Sequence, residues 1–257
     1  MIYVLGGRGF VGSALVRLCQ ARSLPHAVVE YDNYREFVGT RCEVLINANG
    51  NSKKFLAKDD PLEEFALTVR SVRASLVDFR ADYYVHLSTC DVYTDCSSPA
   101  TTLESLVPDV ARQSAYGFHK YLAEQCVRHA APQWLIVRLG GMVGPGMRKN
   151  PVFDILHDQP LWLDPASELQ FLHTDAVAEL LFGLIDGNVA GQVVNLCGKG
   201  VVRLDEIARL AGKPVRVQPG SPKVRYEVSI EKLEAMQAVP RTEETVAAFV
   251  QQWNDVT

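Results

Sequence analysis

A tyrosine and a lysine lie one helical turn apart near the middle of the chain. Tyr116 and Lys120 are four residues apart, a spacing that puts both side chains on one face of a helix. A lysine ammonium beside a phenol favours the phenolate, so we expect the pKa of Tyr116 to fall below its usual value of about 10. The phenol can then exchange a proton with a hydroxyl group of a bound molecule. Because this spacing is also common on surface helices, its meaning depends on the neighbouring segments.

A hydroxyl group lies upstream of this pair, where a strand ends. The run 83–88 is typical of a buried strand and leads into Thr89. Ligands of parallel sheets bind at the carboxyl ends of the strands. A hydroxyl group there would form a hydrogen bond with the same ligand oxygen atom with which the Tyr116 phenol exchanges a proton. The run 42–48 ends at the same edge, and we expect Ala48 to approach a bound cofactor.

The chain opens with a strand, a glycine-rich turn and a helix. The run 1–5 is apolar and typical of a buried parallel strand. In such a turn the first glycine permits the bend, the second admits a pyrophosphate to the backbone, and the third lets helix and strand pack closely. The helix N-terminus adds N–H groups for the phosphates. The predicted dinucleotide ligands in this loop are Gly6, Gly9, Phe10, Val11 and Gly12.

The next predicted strand, 26–32, ends in acidic residues about 20 positions beyond the glycines, where a carboxylate binds the adenosine ribose. We assign this role to Asp32, as the last side chain of the strand, with Glu30 as the alternative. A carboxylate disfavours a 2′-phosphate, so NAD is predicted in preference to NADP. Arg8 and Arg35 favour the opposite choice, because either could pair with that phosphate.

Strand-like and helix-like runs alternate along much of the chain, which implies a parallel sheet with helices on both faces. The predicted fold class is α/β, a Rossmann-type doubly wound parallel sheet with a small C-terminal substrate-binding cap. We predict an NAD(P)-binding domain with the catalytic residues over 1–145 and a reduced cap over 146–257, in which 171–198 belongs partly to the Rossmann domain. Further strands are expected at 133–139, 161–163 and 192–196, and helices at 62–80, 114–129, 152–157, 175–186, 203–211 and 243–253.

Composition excludes several classes of protein. Of the 257 residues, 47% are hydrophobic and 22% charged, which is ordinary for a soluble enzyme. A net charge of −4 gives no reason to expect nucleic acid or an anionic membrane as partner. No apolar run is long enough to span a bilayer, and the first strand leaves no room for a signal peptide. The six cysteines show neither metal-ligand spacing nor a disulfide framework, so we expect reduced thiols, no metal and a cytoplasmic location.

These motifs together resemble the extended short-chain dehydrogenase/reductase family, in its branch of NAD-dependent nucleotide-sugar epimerases, dehydratases and reductases. The resemblance implies an NAD(P)-dependent epimerase or reductase that acts on a nucleotide-activated sugar. It implies that Thr89 is the hydroxyl catalyst, that Tyr116 is the acid/base, and that Lys120 activates Tyr116 and binds the nicotinamide ribose. The matching segments, in the order of the family, are 6–12, 86–93, 116–120, 138–145, 171–175 and 194–198.

Several positions depart from the pattern of this family. Its sugar dehydratases place an Asp-Glu pair after the catalytic hydroxyl, whereas Cys90 and Asp91 stand here, which gives dehydration less weight. Two positions that contact the sugar nucleotide in the family carry Gly141 and Leu169. The cofactor half is therefore intact and the sugar-nucleotide half is reduced. A dinucleotide-binding sensor or scaffold protein without turnover is the alternative.

Three polar residues near the motifs are assigned no catalytic role. His86 alternates with apolar residues on a buried strand and is expected to be packed. His119 is expected to point off the catalytic face of its helix, and Lys54 is expected to be solvated.

The helices predicted at 62–80 and 114–129 carry more apolar surface than one inward-facing side requires. In the resembled family the equivalent pair packs against its symmetry mate as a four-helix bundle, so we predict a two-fold homodimer. The apolar residues concerned are Phe65, Val69, Val72, Leu76, Tyr121, Leu122, Cys126 and Val127.

Overall fold

The computed structural model describes residues 1–256, which form two compact units. The strands are β1 (Ile2–Leu5), β2 (His26–Val29), β3 (Arg41–Asn47), β4 (Arg80–Thr89), β5 (Trp134–Leu139), β6 (Gly141–Val143), β7 (Glu168–Leu169), β8 (Phe171–His173), β9 (Gln192–Leu196), β10 (Val202–Arg203) and β11 (Arg225–Tyr226). The α-helices are α1 (Gly12–Ala21), α2 (Tyr34–Phe37), α3 (Leu56–Asp59), α4 (Pro61–Phe65), α5 (Ser71–Asp78), α6 (Ala115–Ala130), α7 (Pro151–Leu156), α8 (Thr174–Asp186), α9 (Leu204–Leu210), α10 (Glu231–Glu234) and α11 (Thr242–Val256). No helix in this part of the chain combines the length and the apolar character needed to cross a membrane.

The first unit comprises Met1–Thr94, Glu104–Leu139 and Leu181–Val194. Its sheet has the strand order β2-β1-β3-β4-β5-β9, and the pairs from β2 to β5 are parallel. The chain therefore winds outward in both directions from β1, which confirms the predicted doubly wound α/β class. The order reverses between β1 and β3, and ligands of such sheets bind at the carboxyl edge of that switch point.

The register shows which strand reaches furthest at this edge. The last residue of β3, Asn47, pairs with both Leu5 of β1 and His86 of β4. Strand β4 continues for three residues beyond His86, as far as Thr89, alongside β5. Thr89 is therefore carried beyond the end of the neighbouring strand β3.

The helix predicted at 62–80 differs in the structure, where its buried face carries polar side chains. It begins after Asp60, which caps α4, and a π-helical turn, Ala66–Arg70, separates α4 from α5. The buried face consists of Glu64, Thr68, Val69, Val72 and Ser75, whereas Phe65 of the predicted stripe is 40% exposed. The segment ends at Asp78, before residue 80, because the chain enters β4 at once.

The second unit comprises Asp95–Leu103, Gly140–Leu180 and the chain from Asn195 onward. It holds the small sheets β10-β7-β11 and β6-β8, and its core forms among α7, α9, α11 and Phe171. The strand predicted at 161–163 is wrong: Leu161 makes one isolated bridge to Val217, and Trp162 is 72% exposed. The domain boundary predicted at 145 stays a prediction. In the structure the chain passes from the first unit to the second after Leu139.

A buried ion pair links α6 to β5 in the first unit. Arg138 donates to Glu124 from Nε at 3.0 Å and from Nη2 at 2.7 Å. The hydroxyl of Ser88 on β4 also donates to Glu124, at 2.6 Å. The carboxylate of Glu124 is 1% exposed and the guanidinium of Arg138 3% exposed, so each charge depends on the other.

Replacing Glu124 by Ala should lower the free energy of unfolding by about 3–5 kcal/mol, because it leaves the buried Arg138 without a counter-charge. Urea unfolding followed by circular dichroism measures the loss. Glu63→Ala, which removes an exposed carboxylate of α4, is the matched control and should change stability by no more than about 0.5 kcal/mol. A loss for Glu124→Ala below about 1 kcal/mol would contradict the proposed dependence.

Candidate active site

The first turn of α6 is built against the segment that follows β4. The hydroxyl of Ser114 accepts the N–H of Gly117 at 3.0 Å and so caps the helix. A Cβ atom on Gly117 would lie 2.2 Å from the carbonyl oxygen of Asp91, so only glycine permits this approach. The turn that carries Tyr116 therefore packs directly on the backbone after Thr89.

The side chains of Tyr116 and Lys120 are both buried, each 6% exposed. The ammonium of Lys120 lies 5.6 Å from the centre of the Tyr116 ring. The loop after β3 covers both groups. The Tyr116 hydroxyl donates to the carbonyl oxygen of Asn51 at 3.1 Å, and a Cβ atom on Gly50 would lie 3.0 Å from the Lys120 nitrogen. A ligand oxygen that receives the Tyr116 proton must therefore replace the Asn51 carbonyl.

The expected lowering of the Tyr116 pKa is wrong. Burial raises the pKa of Tyr116, because the phenolate loses its hydration, and the negative charges of Asp91 and Glu64 raise it further. Burial also lowers the pKa of Lys120 to about 8, against the opposing effect of Glu64, Asp91 and Glu124. The helical spacing therefore predicted that the Tyr116 and Lys120 side chains lie together, but it did not predict the direction in which the Tyr116 pKa shifts.

Thr89 forms a local hydrogen-bonded set with Asp91. Its hydroxyl donates to Asp91 Oδ2 at 2.9 Å and accepts the backbone N–H of Asp91 at 3.2 Å. The other carboxylate oxygen, Oδ1, accepts the ammonium of Lys54 at 2.7 Å. Lys54 remains 63% exposed, so it is solvated as expected but also has a partner. The Thr89 hydroxyl must leave Asp91 before it can donate to a ligand.

Two histidines lie close to this site. His86 is 1% exposed, neither ring nitrogen has a hydrogen-bond partner among the described residues, and burial lowers its pKa to about 3, so it is packed as a neutral ring. His119 is also buried, and its Nδ1 pairs with the carboxylate of Glu64. The sequence reasoning missed Glu64 and Glu124. Glu124 continues the Tyr116–Lys120 face by one more turn, and that spacing was the available signal.

The glycine loop has the backbone shape that a pyrophosphate requires. Gly6 has a φ of +74°, and Gly9 donates its N–H to the Gly6 carbonyl at 3.0 Å. A Cβ atom on Gly12 would lie 2.0 Å from the same carbonyl oxygen. Helix α1 starts here, and no side chain of the described residues caps it or puts an acid in its first turn. The loop therefore offers an open helix N-terminus to an anion, and it fits a dinucleotide.

The other predicted cofactor residues lie around this loop. A Cβ atom on Gly6 would lie 3.0 Å from the Asn49 backbone and 3.1 Å from the Ala48 carbonyl oxygen, so Ala48 contacts the loop directly. Phe10 and Val11 form its final turn, where their carbonyls accept hydrogen bonds from Ser13 Oγ and Ala14 N–H. Their roles as nucleotide ligands stay predictions.

The two acids after β2 both bind Arg8. Strand β2 ends at Val29, so Asp32 is not its last side chain and instead lies in the following turn. Glu30 accepts the backbone N–H of Arg8 at 2.6 Å, and Asp32 accepts its guanidinium at 3.1 Å. This hydrogen bond lowers the pKa of Asp32. The sequence predicted that Asp32 favours NAD and that Arg8 favours NADP. In the structure these two exposed side chains pair with each other.

The described residues contain no group of three or more His, Cys, Asp and Glu side chains placed to hold a metal ion. The candidate site consists of a glycine loop that fits a dinucleotide, a hydroxyl group and a buried Tyr–Lys pair, all within the first unit.

Comparisons with known proteins agree on this architecture. Among solved structures, a variant of UDP-glucuronic acid 4-epimerase from Bacillus cereus, bound to NAD and UDP-4-deoxy-4-fluoro-glucuronic acid, has a TM-score of 0.80 and 19% identity, with 100% of this chain and 99% of that chain covered. The NDP-hexosamine 5,6-dehydratase TunA has a TM-score of 0.79 and 19% identity, with 99% and 97% covered. A dTDP-4-dehydrorhamnose reductase from Clostridium acetobutylicum has a TM-score of 0.77 and 17% identity, with 98% and 99% covered. At these identities the likeness shows the fold.

The sequence comparisons establish the family. No curated protein matches the chain. The model of the NAD dependent epimerase/dehydratase family matches residues 2–197, well over half of the chain, which confirms the resemblance drawn from the motifs. The chain belongs to the NAD-dependent epimerase/dehydratase family.

Proposed function

We propose that the protein is an NAD(P)-dependent epimerase or reductase that acts on a nucleotide-activated sugar. The observation that carries this proposal is the buried pair of Tyr116 and Lys120, packed one turn apart against the segment after Thr89. A protein that only binds a dinucleotide has no need to bury an ammonium beside a phenol, because that burial costs free energy. The structural neighbours named above are a UDP-sugar epimerase, an NDP-hexosamine dehydratase and a dTDP-sugar reductase.

In this proposal Tyr116 exchanges a proton with the reacting oxygen of the sugar. Because its pKa is raised, the free protein presents a phenol, which suits proton donation to a carbonyl oxygen. The Lys120 ammonium then stabilises the phenolate that remains. Thr89 turns its hydroxyl from Asp91 to the same sugar oxygen and holds it in place.

When bound, NAD supplies the acceptor and donor of the hydride. The chain's own contribution is to hold it. The glycine loop binds the pyrophosphate, Asp32 the adenosine ribose and Lys120 the nicotinamide ribose, while Ala48 lies against the loop. The loop geometry supports the first of these contacts, since a Cβ atom at Gly12 would occupy the space of the turn.

The fate of the cofactor distinguishes the candidate reactions. An epimerase returns the hydride to the same substrate and keeps its NAD, whereas a reductase exchanges it. Mass spectrometry of the purified protein for retained NAD, followed by assays on a panel of nucleotide sugars, tests the proposal. Interconversion of two sugars without net NADH indicates an epimerase, and NAD(P)H consumption a reductase. Retained NAD without turnover of any sugar would favour the alternative sensor or scaffold protein.

We also propose a cytoplasmic location. None of the six cysteines, all of which lie among the described residues, forms a disulfide, and Cys19, Cys42, Cys90 and Cys197 are buried. Thiols persist in reducing compartments, which supports this location.

Replacing Tyr116 by Phe should reduce turnover by roughly 10²–10⁴-fold and leave NAD binding nearly unchanged, because it removes only the exchangeable proton. Steady-state rates and a dinucleotide titration measure the two effects. Tyr121→Phe, at a half-buried position one turn further along α6, is the matched control. Retention of more than about a tenth of the wild-type rate by Tyr116→Phe would count against the assignment.

Replacing Asp32 by Ala should weaken NAD binding by roughly tenfold, because the ribose loses its acceptor, and should favour NADP, because Arg8 loses its partner. Fluorescence titration with both dinucleotides measures the change. Glu36→Ala removes an exposed carboxylate from the neighbouring helix α2 and serves as the control. If the wild-type protein binds NADP more tightly than NAD, then Arg8 and Arg35 define the adenosine site.

The homodimer is proposed on the exposed side of α4, α5 and α6. Of the predicted apolar set, Val72 and Val127 are buried within the unit and do not form this surface, whereas Val69, which is 7% exposed, lines a groove in it. Phe65 and Val77, which are 40% and 66% exposed, line a shallow groove with Cys126. A second copy placed there by two-fold symmetry would cover these side chains and brace the helix that carries Tyr116.

Sedimentation equilibrium at micromolar protein tests the assembly. We expect a mass near twice the 28.4 kDa of one chain for the wild type, and a mass near 28.4 kDa for Val77→Asp, because the new charge would be buried in the interface. Val107→Asp introduces the same charge at an 83% exposed position in the loop before α6 and should leave the dimer intact. A wild-type mass near 28.4 kDa would refute the dimer.

A further inference from the structure

A buried carboxylate lies beside the proposed catalytic pair and has no part in the function described so far. Glu64 is 0% exposed, at the end of α4 where the π-helical turn begins. Its Oε1 accepts the Thr68 hydroxyl, and its Oε2 pairs with Nδ1 of His119. The Phe65 ring packs edge-on against the His119 ring, with 5.3 Å between ring centres. Glu64 is therefore fixed against the residue that directly precedes Lys120.

The charges around Lys120 are compensated unequally. Three carboxylates act on its ammonium: Glu64 from α4, Asp91 from the turn after β4, and Glu124 from α6 itself. Glu124 is held by the guanidinium of Arg138, and Asp91 by the ammonium of Lys54.

The counter-group of Glu64 is a histidine, not a permanent cation. The other titratable groups near Lys120 are His86 on β4, which is neutral because burial lowers its pKa, and Tyr116, which is a phenol because burial raises its pKa. Neither supplies a negative charge. Of the three carboxylates, Glu64 alone pairs with a group that is not a permanent cation, and its charge raises the pKa of Lys120 the most.

We propose that Glu64 is a positioning residue that keeps the Lys120 ammonium charged in its buried setting, an inference that rests on the proposed role of Lys120 in turnover. The charged form is needed to stabilise the Tyr116 phenolate. Protonated Lys120 is lost as the pH rises through its pKa of about 8, so activity falls on the alkaline side. Removing the Glu64 charge moves that loss to lower pH.

Glu64→Gln should therefore lower kcat/KM by roughly tenfold at pH 9, and by no more than about twofold at pH 7, if the Lys120 midpoint falls by about one pH unit. The control is Glu63→Gln, which removes the same charge from the exposed neighbouring position and should leave the pH profile unchanged. A merely structural role of Glu64 would lower the rate equally at every pH, and that result would overturn the proposal.

The midpoint of Lys120 is also measured without turnover, by NMR titration of protein labelled at lysine Cε, with the Lys120 signal assigned by Lys120→Arg. A fall of the midpoint in Glu64→Gln, and none in Glu63→Gln, supports the inference even if no nucleotide sugar is turned over, in which case the proposed function alone fails. An unchanged midpoint overturns it. If Glu64→Gln does not fold, His119→Asn decides: it keeps a donor to Glu64 and leaves the carboxylate in place, so the midpoint should not fall. A fall would overturn the proposal.

Discussion

The loss of hydration around the Lys120 ammonium is the constraint on which the candidate site depends. A buried cation is tolerated only where negative charge compensates it. The protein places carboxylates from three different segments around Lys120, and each of them is fixed by a partner of its own. The same carboxylates oppose ionisation of Tyr116. The charge that keeps the lysine protonated thus also keeps the tyrosine a phenol.

Close backbone approach positions these charges. Gly117 lets the first turn of α6 rest on the Asp91 carbonyl, and Gly50 lets the loop after β3 lie over the Lys120 nitrogen. A side chain on Gly117 would push α6 off the Asp91 backbone, and a Cβ atom on Gly50 would displace the Lys120 ammonium. Strand β4 also extends three residues beyond the end of β3, and this places Thr89 past the point where the loop after β3 begins. Sheet register and two glycines therefore determine where the reactive groups meet.

The sequence predicted what depends on local pattern. The parallel sheet, the glycine loop and the shared face of Tyr116 and Lys120 follow from periodicity and spacing, and the structure contains them. Pairing between distant segments was not predictable in this way. Glu64 contacts His119 across 55 positions of the chain, and a helix that buries a carboxylate violates the apolar pattern on which the helix prediction relied. The two-residue strands of the second unit were missed for the same reason, since their partners lie far apart in sequence.

The residues after Thr89 explain why membership of the family leaves the reaction open. Cys90 is fully buried, and its thiol donates to the Arg138 carbonyl at 3.4 Å, so it is a packed side chain and not an acid that a substrate could reach. Asp91 is engaged by both Thr89 and Lys54. In the proposed reaction, hydride transfer with Tyr116 needs the Asn51 carbonyl to be displaced and the Thr89 hydroxyl to turn from Asp91. Elimination would also need Asp91 to leave Lys54. These contacts support the proposed epimerase or reductase over a dehydratase.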